Sequence, residues 1–248
     1  MSFIVILICL AVQWFLKFSS ARYQWRWADP YCRWMGTRIT ALAIGHGLFS
    51  VILLVVPIIL VASIVFTLVY HIFGHVGYLM LSLALLWYCV DVRRFLESSN
   101  AAQLFLVAYQ FIFAFLFWYF IFGPVGLILY VTVNILRLHF AALSAEDAMR
   151  KTVLPDFIRV QHLLDWVPVR LLGLTFALAG HFSSVFNRWM SELFQNISSD
   201  DQYRVVSWGE MALQSDPVNM PDAIQLIHRS LIIWLVVMAL FSLGFWIG

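Results

Sequence analysis

The sequence predicts an all-α fold: a polytopic membrane helical bundle with two transmembrane hairpins, an amphipathic connector and a C-terminal helix. Composition is the first observation. Of 248 residues, 63% are hydrophobic and 11% charged, where a soluble domain carries about a quarter charged residues. The second is the distribution of charge. Uncharged stretches run from Ile39 to Val90, from Ser98 to Leu136 and from Ser230 to Gly248; the first two are too long for one bilayer crossing of about 20 residues, and the third fits one. The third is punctuation. HIFGHVG at residues 71–77 and Gly123-Pro124-Val125-Gly126 interrupt the two long runs, and glycine and proline clusters mark turns. Each long run therefore reads as a hairpin, and residues 1–248 as a single integral membrane domain.

Taken in order, the start MSFIVILICLAVQWFLK has no basic leader and no small-residue cleavage pattern, so it reads as a retained anchor. Residues 17–46 form a basic loop: Lys17, Arg22, Arg26, Arg33 and Arg38 face only Asp29, which places the loop in the cytoplasm. The first hairpin follows, its second arm running roughly from Val76 to Val90 and ending at VDVRRFLE. The second hairpin climbs through QLFLVAYQFIFAFLFWYFIF and returns through LILYVTVNIL to Arg137. With both runs folded back, the basic loop, Arg93 and Arg94, and the stretch holding Arg137, Arg150, Lys151 and Arg159 share one side, as the positive-inside bias requires.

Residues 138–165 form the amphipathic connector. Phe157, Val160, Leu163 and Leu164 recur at three- and four-residue spacing, which suits a helix along the membrane face, divided by Pro155. Leu171–Val185 is short and follows Arg170 directly, so it reads as a tilted crossing or a buried re-entrant element. Residues 182–229 are a polar acidic loop region, in which six acids between Glu192 and Asp222 meet only Arg204. It is expected on the cytoplasmic side. SLIIWLVVMALFSLGFWIG then leaves as the C-terminal helix.

Several chemistries are excluded. Cys9, Cys32 and Cys89 are widely separated, which fits small buried hydrophobes and not a disulfide framework or a four-ligand cluster. The seven histidines show no HExxH spacing, and His71 and His75 sit among turn glycines, so no metal and no cofactor is expected. There is no GxGxxG, phosphate loop or GxSxG. The basic residues are explained by membrane orientation, so nucleic acid is not a partner; membrane lipids are.

Polar residues in apolar surroundings mark the remaining positions of interest. In LLDWVPVRLLGL, residues 163–174, Pro168 suits the first turn of a helix, Asp165 can cap that helix, and Arg170 lies within its first turns. Asp165 and Arg170 then form a structural pair. An arginine facing a bundle interior also marks a site for an anion, a substrate or a partner helix. Asn134 and Arg137, three apart, share a helical face. With Asp165 and Arg170 they would make a small polar pocket at one membrane face, suited to a phosphorylated or carboxylated lipid-like molecule. Gln110, near the centre of its apolar run, is expected to hydrogen-bond another helix.

LLDWVPVRLLGLTFALAGHF, residues 163–182, resembles the signature of the AmpE family. LILYVTVNILRL, residues 127–138, resembles the corresponding helix of the wider superfamily of AmpE and the cobalamin-pathway membrane enzyme CbiB. The resemblance implies a multi-pass protein of the bacterial inner membrane, non-enzymatic, acting as a regulator or sensor linked to cell-wall stress and β-lactamase induction. It implies a cell-wall recycling amidase, or another membrane protein, as partner. Asp165, Pro168 and Arg170 stand where the superfamily has its acid, proline and arginine, and Asn134 matches an asparagine of the enzyme branch. Arg137 occupies the position of that branch's aspartate, and VDVRRFLESSN stands where the branch has a glycine-arginine-aspartate motif. No catalytic residue is therefore assigned. The alternative is a membrane enzyme related to cobinamide-phosphate synthase, or a carrier binding a polar lipid-like ligand.

Overall fold

A backbone in hydrocarbon must satisfy its own N–H and C=O groups, so long apolar runs become long helices or closed barrels. The computed structural model describes residues 2–16, 30–32, 34, 48–90, 98, 100–144, 148–193, 201–214 and 219–247, and among them there is no strand. The helices are α1 (Ser2–Leu16), α2 (Leu48–Cys89), α3 (Ala101–Ala108), α4 (Ala114–Ala142), α5 (Ala148–Ala179), α6 (Phe182–Glu192), α7 (Asp201–Leu213) and α8 (Met220–Ile247). A π-helical turn, Tyr109–Phe113, joins α3 to α4.

Both long runs fold back on themselves. Gly74 has φ 63°, ψ −153° and Gly123 has φ 64°, ψ −150°, a region of backbone space that is essentially open to glycine alone. Twelve residues of straight helix would put Phe66 and Tyr78 about 18 Å apart, yet their ring centroids are 5.7 Å apart. Phe115 and Tyr130 meet at 5.7 Å across the second break. The two tips lie together, because a Cβ added at Gly123 would stand 3.7 Å from the Tyr78 hydroxyl. At the opposite, open end, Val51, Leu54 and Val55 pack with Val133, Leu136 and Phe140.

α5 lies across that open end. Its Phe157 packs on Phe140 at 5.6 Å, its middle reaches Tyr109 and Tyr130, and its Phe176 packs on Phe105 at 5.5 Å. Phe105 stands one turn from the start of α3, so α5 enters and leaves near the same end of the bundle. The sequence expectation of a helix starting at Pro168 is corrected here. α5 is one helix of 32 residues with Pro155 and Pro168 both inside it. Each proline forfeits a backbone hydrogen bond, roughly 3 kcal/mol in an isolated helix; burial of Val169, Leu172, Phe176 and Ala177 in the main core offsets the loss. The connector and the LLDWVPVRLLGL segment are thus continuous, and Asp165 is not a helix cap.

α6 and α7 turn back over α5. A Cβ at Gly173 would lie 2.4 Å from the Trp208 ring, so only a bare backbone lets α7 approach this closely. The N–H of His181 donates to the carbonyl of Ala212 at 3.0 Å. α8 then runs beside α3 and α4, its Trp234 packing on Phe113 at 5.3 Å and Phe117 at 6.2 Å. α1 buries Val5, Ile6 and Cys9 in the main core, and Gln13 donates to the carbonyl of Val90 at 2.7 Å. All three cysteines are buried and none is in a disulfide.

Four helical stretches are long and apolar enough to cross a membrane: Leu48–Cys89, Ala101–Ala142, Arg150–Ala179 and Met220–Gly244. The third packs near both its ends on residues of the open end, Phe140 and Phe105. Leu60, Ile64, Leu68, Ile72 and Val76 of the first hairpin and Ile232, Val236 and Leu240 of α8 are exposed, an apolar surface that lipid covers. The five cations of the basic loop, with Arg93 and Arg94, lie outside the described residues.

Candidate functional site at the open end of the bundle

α5 carries the site because i,i+4 spacing sets Gln161 beside Asp165 on one side of the helix and Trp166 beside Arg170 on another. Asp165 is 6% exposed. Its Oδ1 accepts from the Tyr109 hydroxyl at 2.5 Å and the Tyr130 hydroxyl at 2.8 Å, and its Oδ2 accepts from Gln161 Nε2 at 3.0 Å. Three donors offset much of the cost of burying a carboxylate. Tyr109 opens the π-helical turn; the extra residue in such a turn re-aims side chains, and π-bulges recur at functional sites. The Gln161 Oε1 is buried with no hydrogen-bond partner among the described residues.

Arg137 lies within electrostatic reach of Asp165 and donates through Nη2 to Asn134 Oδ1 at 3.2 Å. Its Nε is buried and makes no hydrogen bond among the described residues. Asn134 and Arg137 therefore do share a face, and that face borders Asp165.

Arg170 turns elsewhere. Its Nε donates to the carbonyl of Leu193 at 2.8 Å and its Nη1 to the carbonyl of Trp166 at 3.0 Å, while the guanidinium sits 4.4 Å over the Trp166 ring. The acid it faces is Asp201, at 3.8 Å. Arg204 Nη1 approaches the same carboxylate at 3.6 Å, as does His162 Nδ1. Burial pushes the Asp201 carboxyl above the usual carboxylate range, against the pull of Arg170 and Arg204, with Asp165 adding to the push and His162 opposing it. Burial wins because these contacts fall just beyond hydrogen-bond distance. The expected Asp165–Arg170 pair is thus corrected. Asp165 is held by hydroxyl and amide donors, Arg170 by α6 and α7.

The structure brings Asn134, Arg137 and Asp165 together and sets Arg170 in an adjoining cluster on the next turns of α5. Pro168 is buried between them. Gln110 is half-buried inside the π-helical turn, and no hydrogen bond joins it to another helix among the described residues. Tyr109, Tyr130, Gln161, His162 and Asp201 were not singled out in the sequence, and Arg204 stood out only as the lone base of the acidic region. Gln161 and Asp165 at i,i+4 carried a signal; Tyr109 and Tyr130 are hidden among aromatics, and Asp201 within an acidic run. Among the described residues no group of three or more metal-ligating side chains converges.

Comparison with known proteins matches this region. The family described as "Regulatory signalling modulator protein AmpE" matches residues 80–245, about two-thirds of the chain and all of the cluster just described. Protein AmpE of Shigella flexneri is 28% identical over 159 residues, covering 62% of this chain and 55% of that protein, so the chain spans about half the length of the curated relative it matches. No solved structure matches. The apolar helices and this match together make it a multi-pass protein of the inner membrane, and the chain belongs to the AmpE family.

Proposed function

We propose that the chain is a non-enzymatic regulator or sensor in the inner membrane, linked to cell-wall stress and β-lactamase induction. The observation that carries this reading is the family match across residues 80–245, which contains every member of the polar cluster. A cell-wall recycling amidase or another membrane protein receives the signal, and a phosphorylated or carboxylated lipid-like molecule supplies it. The donor best placed for such an anion is Arg137, whose Nε is buried without a partner among the described residues, because the Arg170 fork is already engaged with two carbonyls.

Deletion in a host with an inducible β-lactamase should alter induction and leave corrinoid assembly intact. Complementation with Arg137→Lys, which keeps charge but loses the planar fork, should restore protein levels without restoring induction. A second reading, a membrane enzyme or carrier, draws on the buried Asp165 set between two tyrosine hydroxyls. A strict cobalamin requirement after deletion would replace the first reading with the second.

A further inference from the structure

The hairpin tips hold a second feature, at the opposite end from the polar cluster. Ser63, Phe66, Thr67, Tyr70, His75 and Tyr78 of α2, with Pro124 and Val125 from the tip of the second hairpin, line a half-open cavity of about 340 Å³, within the size range of small-molecule sites. Most of its lining precedes residue 80, outside the segment matched by the family.

Polarity is graded along the cavity. Ser63 lies eleven residues before the Gly74 break, about 16 Å along the helix, and the Thr67 hydroxyl donates to the Ser63 carbonyl at 2.8 Å. That hydroxyl is satisfied by its own helix and offers no free donor to the void. Phe66, Pro124 and Val125 complete an apolar floor. Near the tip, the Tyr70 hydroxyl and His75 Nε2 are 3.5 Å apart, their rings edge-on at 5.1 Å. Both residues are exposed, so they can meet the polar part of an amphiphile. Around the mouth, Ile64, Leu68, Ile72 and Val76 are exposed and apolar, in a segment long and apolar enough to cross the bilayer. Anything entering arrives from lipid.

We infer that this cavity binds one acyl chain of a bilayer phospholipid, with the chain along Phe66, Pro124 and Val125 and the ester region at Tyr70 and His75. The bound chain wedges the two arms of the first hairpin against the second tip. An apolar void of this size is better filled by lipid than left empty, because its lining otherwise lacks contact partners on one side. The site is independent of the regulator reading, since it shares no residue with the open-end cluster.

The test uses the full chain in nanodiscs of phosphatidylethanolamine and phosphatidylglycerol, doped with phosphatidylethanolamine carrying a diazirine close to the ester end of one acyl chain. After illumination, mass spectrometry should find adducts on Phe66, Thr67 and Val125 enriched several-fold over those on the outward-facing Ile232, Val236 and Leu240 of α8. Thr67→Trp, which fills the void, should reduce the Phe66 and Val125 adducts several-fold and leave those on Ile232 and Val236 of α8 unchanged. Val125→Trp gives the same readout at Phe66 and Thr67 if Thr67→Trp fails to accumulate. Lining adducts no more frequent than outward ones, or unaffected by either plug, would overturn the inference.

Discussion

Replacing Arg170 with alanine would take one cation from a buried carboxylate, and that carboxylate belongs to Asp201. Asp165, five residues away, keeps its three donors whatever happens to Arg170. In purified protein, the losses of thermal stability from Arg170→Ala and Asp201→Ala should therefore be non-additive by roughly 1–3 kcal/mol, whereas those from Asp165→Ala and Arg170→Ala should add to within about 0.5 kcal/mol. Strong coupling in the second cycle would restore the direct pair. The sequence made Asp165 and Arg170 conspicuous, because charges are costly in apolar surroundings. It did not disclose their partners, since Tyr109 and Tyr130 are distant in the chain and resemble the many aromatics that only pack. Nearness in sequence suggested a pair; the five-residue offset points the two side chains around different sides of α5, one towards the hairpins and one towards α6 and α7.

The helical hairpins are the elements that local chemistry dictates most directly. Gly74 and Gly123 adopt the same conformation, φ 63° and 64°, and both fall inside stretches where clustered glycine, histidine or proline already signalled a turn. A Cβ at Gly74 would meet nothing within 4 Å, so its requirement is conformational and not steric. Gly74→Ala and Gly123→Ala should each lower stability by about 1–3 kcal/mol, measured by thermal unfolding in detergent. A loss below measurement error at both positions would show that the tips relax freely. Pro168 illustrates the opposite case. Its local rule favours a helix start, yet α5 continues through it because Val169, Leu172 and Phe176 on either side of the following turn are fully buried. Tertiary packing outweighs one missing hydrogen bond, and nothing in the residues next to the proline reveals that α6 and α7 will cover it.

At the scale of the molecule, the bundle has a tip end and an open end, and the polar groups are sorted between them. The aromatic cavity sits at the tips; the Arg137 end of α4, both ends of α5 and the Asp201 cluster sit towards the other, while Asp165 reaches inward to Tyr130, seven residues from the Gly123 break. Because Phe176 near the end of α5 packs on Phe105 and α7 ends against Gly180 and His181, α6 and α7 also lie at the open end. Composition could not place them, since acids contribute little to orientation, and α5 alone has the length and apolarity to carry them across. The arrangement of contacts gives a definite expectation. Single cysteines introduced at Arg26, Arg94, Lys151 and Gln214 should all react with an impermeant maleimide only from the cytoplasmic side, and one at Gly74 only from the periplasm. The basic positions are fixed by the positive-inside bias, Gly74 by the hairpin, and Gln214 by its place after α7, which ends beside Gly180 and His181. Opposite labelling of Arg26 and Arg94 would remove the first hairpin. Periplasmic labelling of Gln214 with the others unchanged would mean that α5 crosses the bilayer after all, and the charged cluster it shares with α7 would then lie buried within the membrane's thickness instead of at its cytoplasmic face.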